Sequence, residues 1–336
     1  MAELRLLIVR LGSMGDIVHA LPALAALRDT HRDAQVDWVV EEKWAPLLEG
    51  CPDVTSVIPQ QRSSIGATLR LVRELRARRY DVAMDFQGLY KSALFAYLSG
   101  AKRRIGFAAS HARESGAARF YTERVQPTDM HVVEMNLALA RAEGAAPSAP
   151  VRFPLKTSAA AEKFVDCQLE ERKLTDFYVI SPGGGWRSKC WPAEQYGHLH
   201  RRLAERYGWR GIVSYGPSER ALAEAARLVA GEPEPFVLGT DVAQLKALLR
   251  RAKFVVAADT GPLHLAAALG TPVVGLYGPT DPARNGPYGQ LEHVVRNAEP
   301  RDTTYKRGAD YSPLMKSIRV EQVIAAIERR MGVRNA

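Results

Sequence analysis

The feature that most constrains this chain is a rhythm along its whole length, in which short apolar runs alternate with longer stretches of helical period. Residues 4–10, 36–40, 54–59, 80–86 and 103–107 have the length and side chains of strands, and 69–79, 89–99 and 132–143 the period of helices. Strands joined through helical crossovers lie parallel, so the pattern predicts a doubly wound α/β sheet. Residues 144–155, rich in Ala and Pro and without periodicity, predict a linker. The rhythm then resumes, with strands at 178–182, 211–215, 235–239, 254–259 and 273–278. Helices are predicted at 192–206, 219–230, 242–251 and 261–269, and a last amphipathic helix at 320–330. A chain of 336 residues suits two domains. The expected division is a Rossmann-like domain over 1–150, a second over 156–318, and a C-terminal helix over 319–336. Two such domains are expected to leave a cleft at the carboxyl ends of their strands, where ligands bind.

Composition narrows the class. Apolar residues make up 46% and charged residues 25%, which excludes a disordered chain. No apolar run reaches the roughly 18 residues of a membrane span, and the opening segment has the pattern of a first strand rather than of a signal peptide. Three distant cysteines, Cys51, Cys167 and Cys190, predict a reducing compartment, with neither a disulfide framework nor a zinc site. The formal net charge of +9 points to an anionic partner. A nucleic-acid-binding role lacks any supporting motif.

Several loops after predicted strands carry residues suited to chemistry. Gly12-Ser13-Met14-Gly15-Asp16 follows the first strand, but its glycine spacing fits neither a dinucleotide fingerprint nor a P-loop. Asp16 falls at a helix start, where a carboxylate either caps the helix or serves as a base. Pro22 predicts that the main helix begins near it, with Asp16 on a short preceding turn. Asp259-Thr260-Gly261, before a helix, can seat a pyrophosphate on backbone N–H groups. Gly183-Gly184-Gly185 permits close approach of a ligand, and Lys189 supplies either a phosphate contact or a surface charge. Glu219 either accepts from a ribose diol or complements its own helix. Together, three glycine-bearing loops in one domain favour a nucleotide donor site.

These segments carry a resemblance to glycosyltransferase family 9, the ADP-heptose:lipopolysaccharide heptosyltransferases. It rests on RLGSMGDIVHALPAL from Arg10, the segment Asp85–Ser92, Lys189–Pro192, and the pair Asp259–His264 and Tyr277–Pro282, all in family order. The resemblance implies a GT-B architecture, two Rossmann-like domains, and inverting transfer without a metal or cofactor. It implies Asp16 as catalytic base and Lys189, Glu219, Asp259, Thr260, Gly261 and His264 as donor-binding residues. The acceptor set is Ser13, His19, Arg62, Lys91 and Arg113. Further arginines of the same half, Arg70, Arg73, Arg76, Arg103 and Arg104, suit an anionic acceptor.

Ala112-Arg113-Glu114 is similar to the family branch that transfers the first heptose, from ADP-heptose to the Kdo region of lipid A. That branch can carry threonines where Gly184 and Gly185 stand here. The implied location is the cytoplasm, peripherally on the inner face of the inner membrane, without nucleic acid as a partner. The rival readings are a family member with another acceptor, such as the second-transferring branch, and a nucleotide-sugar epimerase of the same fold.

Overall fold

Four of the five residues of Arg5–Val9 (β1) are buried, and β1 pairs in parallel with Gln35–Glu41 (β2) and Val82–Asp85 (β4). Burial on both faces explains why its sequence is continuously apolar rather than alternating. With Ser56–Gln60 (β3), Arg103–Phe107 (β5) and Glu123–Val125 (β6), these strands form a parallel sheet in the order β3-β2-β1-β4-β5-β6. In this computed structural model the described residues are 3–61, 65–146 and 150–333, and the chain divides into two units, 1–156 and 157–336.

In the first unit, Met14–Thr30 (α1) packs against Val132–Ala142 (α5). The helices Ile65–Ala77 (α3) and Tyr90–Leu98 (α4) cover the other sheet face, where Leu71, Leu75, Phe95 and Ala96 meet Leu7, Val9, Val39 and Ala83. Ala45–Leu48 (α2) lies between β2 and β3.

The second unit repeats the plan. Its strands are Tyr178–Ser181 (β7), Gly211–Tyr215 (β8), Phe236–Gly239 (β9), Val255–Ala258 (β10), Val273–Tyr277 (β11) and Val294–Arg296 (β12). They are ordered β12-β11-β10-β7-β8-β9, again all parallel. Its helices are Ala159–Glu171 (α6), Ala193–Tyr207 (α7), Arg220–Ala230 (α8), Val242–Arg251 (α9), Gly261–Ala268 (α10), Pro282–Asn285 (α11), Pro313–Lys316 (α12) and Val320–Met331 (α13). Val323, Ile324 and Ile327 of α13 lie in the same apolar core as Tyr178, Trp191 and Val274, so the terminal helix is part of this unit.

The topology places the functional loops. In the first sheet the order reverses between β1 and β4, and in the second between β7 and β10. At such a switch point, adjacent crossovers leave on opposite faces and open a crevice beyond the strand ends. The segments beginning at Arg10, Phe86, Pro182 and Asp259 all start at those strand ends.

Two expectations need correction. The first helix does not begin near Pro22. It begins at Met14 and carries Pro22 inside, so Asp16 is its third residue. An interior proline costs about 3 kcal/mol, but α1 buries thirteen residues, among them Ile17, Val18, Leu21, Leu24 and Leu27. Each large apolar side chain removed from water contributes roughly 1.5–3 kcal/mol, so packing outweighs the lost hydrogen bond. The short edge strands β6 and β12, three residues each, and the helix α6 add elements beyond those predicted.

Candidate active site

The first loop is built around Asp16. Its Oδ1 is 2.7 Å from Nη2 of Arg10, a buried residue at the end of β1. Its Oδ2 accepts both the backbone N–H and the hydroxyl of Ser13, each at 3.0 Å, and lies 3.7 Å from the exposed Arg113 guanidinium. Burial opposes ionisation, yet the two arginines and the Ser13 N–H prevail and hold the Asp16 carboxyl well below the usual carboxylate range. Its side chain remains 28% exposed. The carboxylate is therefore charged, fixed in direction and open to a partner.

A second loop braces the first. Asp85 ends β4 fully buried and accepts from the Gln87 N–H at 2.8 Å, the Ser92 hydroxyl at 2.8 Å and the Tyr121 hydroxyl at 2.6 Å. Burial pushes the Asp85 carboxyl up against these bonds. The loop so folded turns Gln87 Oε1 onto the Leu11 N–H at 2.8 Å and offers the Phe86 carbonyl to Arg10. Gly88, at φ +69°, closes the turn, and a Cβ there would press on the backbone of Ala112 and Arg113. Thus the segment Asp85–Ser92 sets both cations around Asp16.

The other acceptor candidates divide. His19 is buried one turn beyond Asp16, edge-on to His131 at 5.8 Å. Lys91 Nζ donates to Gln60 Oε1 at 2.8 Å. Arg62 lies outside the described residues. Arg103 stands at the amino end of β5, paired with Glu123 at 2.6 Å and Glu143 at 2.8 Å, away from the strand ends that carry Asp16. Arg104 donates to the carbonyls of Phe120 and Ala101.

In the second unit, the loops after β7 and β10 meet. Lys189 Nζ is 3.5 Å from Asp259 Oδ2, while Asp259 Oδ1 contacts His264 Nε2 at 3.1 Å and accepts from Asn285 Nδ2 at 2.9 Å. Burial again opposes the charge, and His264, Lys189 and Thr280 hold Asp259 well below the usual range. Thr260 precedes α10 in extended conformation, its hydroxyl donating to the Ala258 carbonyl at 3.1 Å. Gly261 opens α10, whose N-terminal N–H groups favour an anion.

Close approach explains the glycines. A Cβ on Gly183 would collide with the Glu219 carboxylate, which also accepts the Gly216 N–H at 3.0 Å. One on Gly184 would lie 2.6 Å from Cys190 Sγ and 2.9 Å from the Thr260 methyl, whereas Gly185 faces open space. Glycine at 184 is thus matched to Cys190 and Thr260. Trp191, fully buried, donates to the Ile318 carbonyl at 3.0 Å and anchors the loop that ends in Lys189.

Sequence reasoning missed Arg10, Thr280, Asn285 and Arg307. The first three grip the aspartates, and Arg307 shares the Trp186 ring with Lys189, at 5.1 and 4.6 Å. The Tyr277–Pro282 motif contained Thr280, and Arg10 opened the first motif, so a signal existed for these two. Among the described residues no group of three or more His, Cys, Asp or Glu side chains is placed to hold a metal ion.

The family profile described as glycosyltransferase family 9 (heptosyltransferase) matches residues 68–314. Lipopolysaccharide heptosyltransferase 1 of Pseudomonas aeruginosa is 33% identical over 329 residues, covering 92% of this chain and 88% of the relative. The structure of E. coli heptosyltransferase WaaC with ADP-2-deoxy-2-fluoro heptose superposes with a TM-score of 0.74 at 29% identity, covering 97% and 99% of the two chains. E. coli ADP-heptose lps heptosyltransferase II superposes with a TM-score of 0.80 at 23% identity over 98% of each chain, a likeness of fold. Nothing among these favours the epimerase reading. With two Rossmann-like units and a family match across most of its length, the chain is a glycosyltransferase of GT-B type and belongs to glycosyltransferase family 9 (heptosyltransferase).

Proposed function

We propose that this enzyme is a heptosyltransferase I, transferring heptose from ADP-heptose with inversion to the Kdo region of lipid A, at the cytoplasmic face of the inner membrane. Its likeness to lipopolysaccharide heptosyltransferase 1 relatives supports heptose transfer to lipopolysaccharide, and its likeness to a heptosyltransferase holding an ADP-heptose analogue supports the donor. The observation that carries the chemistry is the charged, partly exposed Asp16, oriented by Arg10 and Ser13.

An acceptor hydroxyl oxygen attacks the anomeric carbon, its proton passes to Asp16, and the bond from that carbon to the phosphate oxygen breaks. A carboxylate with depressed basicity suffices, because the hydroxyl becomes strongly acidic as its oxygen bonds to the carbon. Arg113 is exposed and suits an acceptor carboxylate. Pairing there weakens its hold on Asp16 and strengthens the base as the acceptor arrives. On the donor side, Lys189 and the N-terminus of α10 neutralise the charge that develops on the departing ADP. Glu219 receives the ribose.

The test is ADP release from ADP-heptose with and without Kdo-bearing lipid A. Release only with that acceptor is expected, together with a product one heptose heavier. Turnover only on an acceptor that already bears heptose would replace this reading with the second-transferring branch, and isomerisation without acceptor would refute transfer.

A further inference from the structure

Nine large apolar side chains are conspicuously exposed among the described residues, and five of them, Ile65, Leu69, Tyr90, Leu94 and Tyr97, belong to the neighbouring helices α3 and α4. The spacing makes them a surface. Tyr90, Leu94 and Tyr97 recur at intervals of four and three along the outer side of α4, while Ala93, Phe95 and Ala96 between them are buried. On α3, Ile65 is 82% exposed and Leu69, one turn on, is 53% exposed, whereas Leu71 and Leu75 face the core. Clustered apolar area of this kind marks an interaction site, whereas the remaining exposed residues fall singly on other segments.

The charges around it specify the partner. Arg70, Arg73, Arg76 and Arg119 are exposed beside the stripe, and the Arg104 guanidinium lies 5.4 Å above the Tyr97 ring. Nearby acids are engaged: Glu74 pairs with Arg78 at 2.7 Å, and Glu114 accepts the Tyr90 N–H. Helix faces that join leucine, isoleucine and tyrosine to arginine suit the headgroup layer of a membrane, where rings and aliphatic chains enter the interface and guanidinium groups meet phosphate. Among the described residues no helix is long and apolar enough to cross a membrane.

We infer that the outer face of α3 and α4 docks this chain on an anionic phospholipid bilayer. The inference rests on the proposed lipid-linked acceptor for its purpose, and its position fits that purpose. Tyr90 begins α4 at the carboxyl edge of the sheet and is bonded to Glu114, next to the Arg113 that faces Asp16. A bilayer on this face therefore lies beside the loop that carries Arg113, the neighbour of Asp16. A modest apolar stripe with a basic rim gives reversible, salt-sensitive attachment.

Co-sedimentation of the full chain with vesicles of phosphatidylethanolamine and phosphatidylglycerol tests it, with phosphatidylcholine vesicles as reference. Binding to the anionic vesicles is expected, weakening as salt is added. Ile65→Gln/Leu69→Gln/Leu94→Gln should lower the partition coefficient by roughly tenfold or more, and Arg70→Gln/Arg73→Gln by about tenfold to thirtyfold at low salt. Leu228→Gln removes an exposed leucine from α8 and should change nothing. Equal binding by the wild type and the triple variant overturns the inference. So does a triple variant that loses self-association in sedimentation equilibrium rather than vesicle binding, since a second copy then occupies the face. Turnover separates this inference from the proposed function. The triple variant should keep its rate on a water-soluble acceptor without acyl chains and lose rate only on a vesicle-embedded one. Failure of the wild type to use either acceptor would refute the functional reading while leaving the vesicle result to stand.

Discussion

Asp16 in the first unit and Asp259 in the second are near-twins by sequence. Each follows a central strand at a topological switch point, each borders a helix start, and each is held ionised by cations. Their surroundings differ in one respect that decides what they can do. Asp16 keeps 28% of its side chain open and has an exposed arginine as a neighbour, so a substrate can reach it. Asp259 is 4% exposed, with its oxygens engaged by Lys189, His264 and Asn285. A carboxylate so enclosed is shielded from a substrate's proton, but it can fix a lysine in place. On the proposed mechanism, the comparison separates a group that acts from a group that positions.

The largest expected effect follows directly. Asp16→Asn preserves size and a hydrogen-bond acceptor for Ser13 while removing the base, so kcat should fall about 10²–10⁴-fold with ADP affinity unchanged. A loss smaller than tenfold would erase the proposed role. Asp259→Asn should break the comparison from the other side. It leaves Lys189, only 15% exposed, without its counter-charge. The expected result is a loss of about 2 kcal/mol in stability, seen as a fall of a few degrees in Tm, and weaker ADP binding. With saturating donor its kcat should remain well above that of Asp16→Asn. Equal collapse of both variants would mean that exposure does not distinguish them.

Next in size is the donor loop. Lys189→Ala should weaken ADP binding by roughly tenfold or more in calorimetry, as expected for a lost charge-assisted hydrogen bond. Glu219→Gln retains the acceptor for the Gly216 N–H and removes the charge, so a smaller change, about threefold, is expected. If Glu219→Gln proved the more damaging, the ribose contact would outweigh the phosphate contact and the roles assigned to the two loops would be exchanged.

Much of this arrangement was legible in the sequence, for a physical reason. A parallel strand buried on both faces must be continuously apolar, so β1, β10 and β11 announce themselves within one or two residues of their observed bounds. Asp16, Lys189 and Asp259 stood out because they follow such strands. What the sequence concealed depends on contacts between distant segments. Nothing local to Pro22 tells that the helix runs through it, since the compensating burial comes from packing against the distant α5. Arg10 looks like the last residue of a strand, and its role exists only because the loop after β4 offers it the Phe86 carbonyl. The exposed stripe of α3 and α4 was hidden for the opposite reason: its tyrosines and leucines have the composition of a core, and only the fold shows which of them face outward.

The smallest expected effect is also the most specific to the contrast between the two aspartates, because the Arg113 beside Asp16 is far more open to solvent than the Lys189 beside Asp259. Asp16 has its folded pKa depressed below the ordinary 3.8, so its ionised form adds stability above that value, and this contribution is lost as pH falls through the depressed pKa. Arg113 is one of the groups responsible, at 3.7 Å and 46% exposed. A pair so solvated is worth about 1 kcal/mol, equivalent to roughly 0.7 of a pH unit. Arg113→Gln should therefore raise the Asp16 titration by that amount, read by carbon-13 NMR of the carboxyl resonance that disappears in Asp16→Asn. The Asp259 resonance should stay still. Added acceptor should shift the wild-type Asp16 titration in the same direction as Arg113→Gln and have little further effect in that variant, because in both cases the guanidinium no longer serves Asp16. A wild-type titration that ignores the acceptor would uncouple Arg113 from acceptor binding, leaving Arg10 as the cation that sets the basicity of the site.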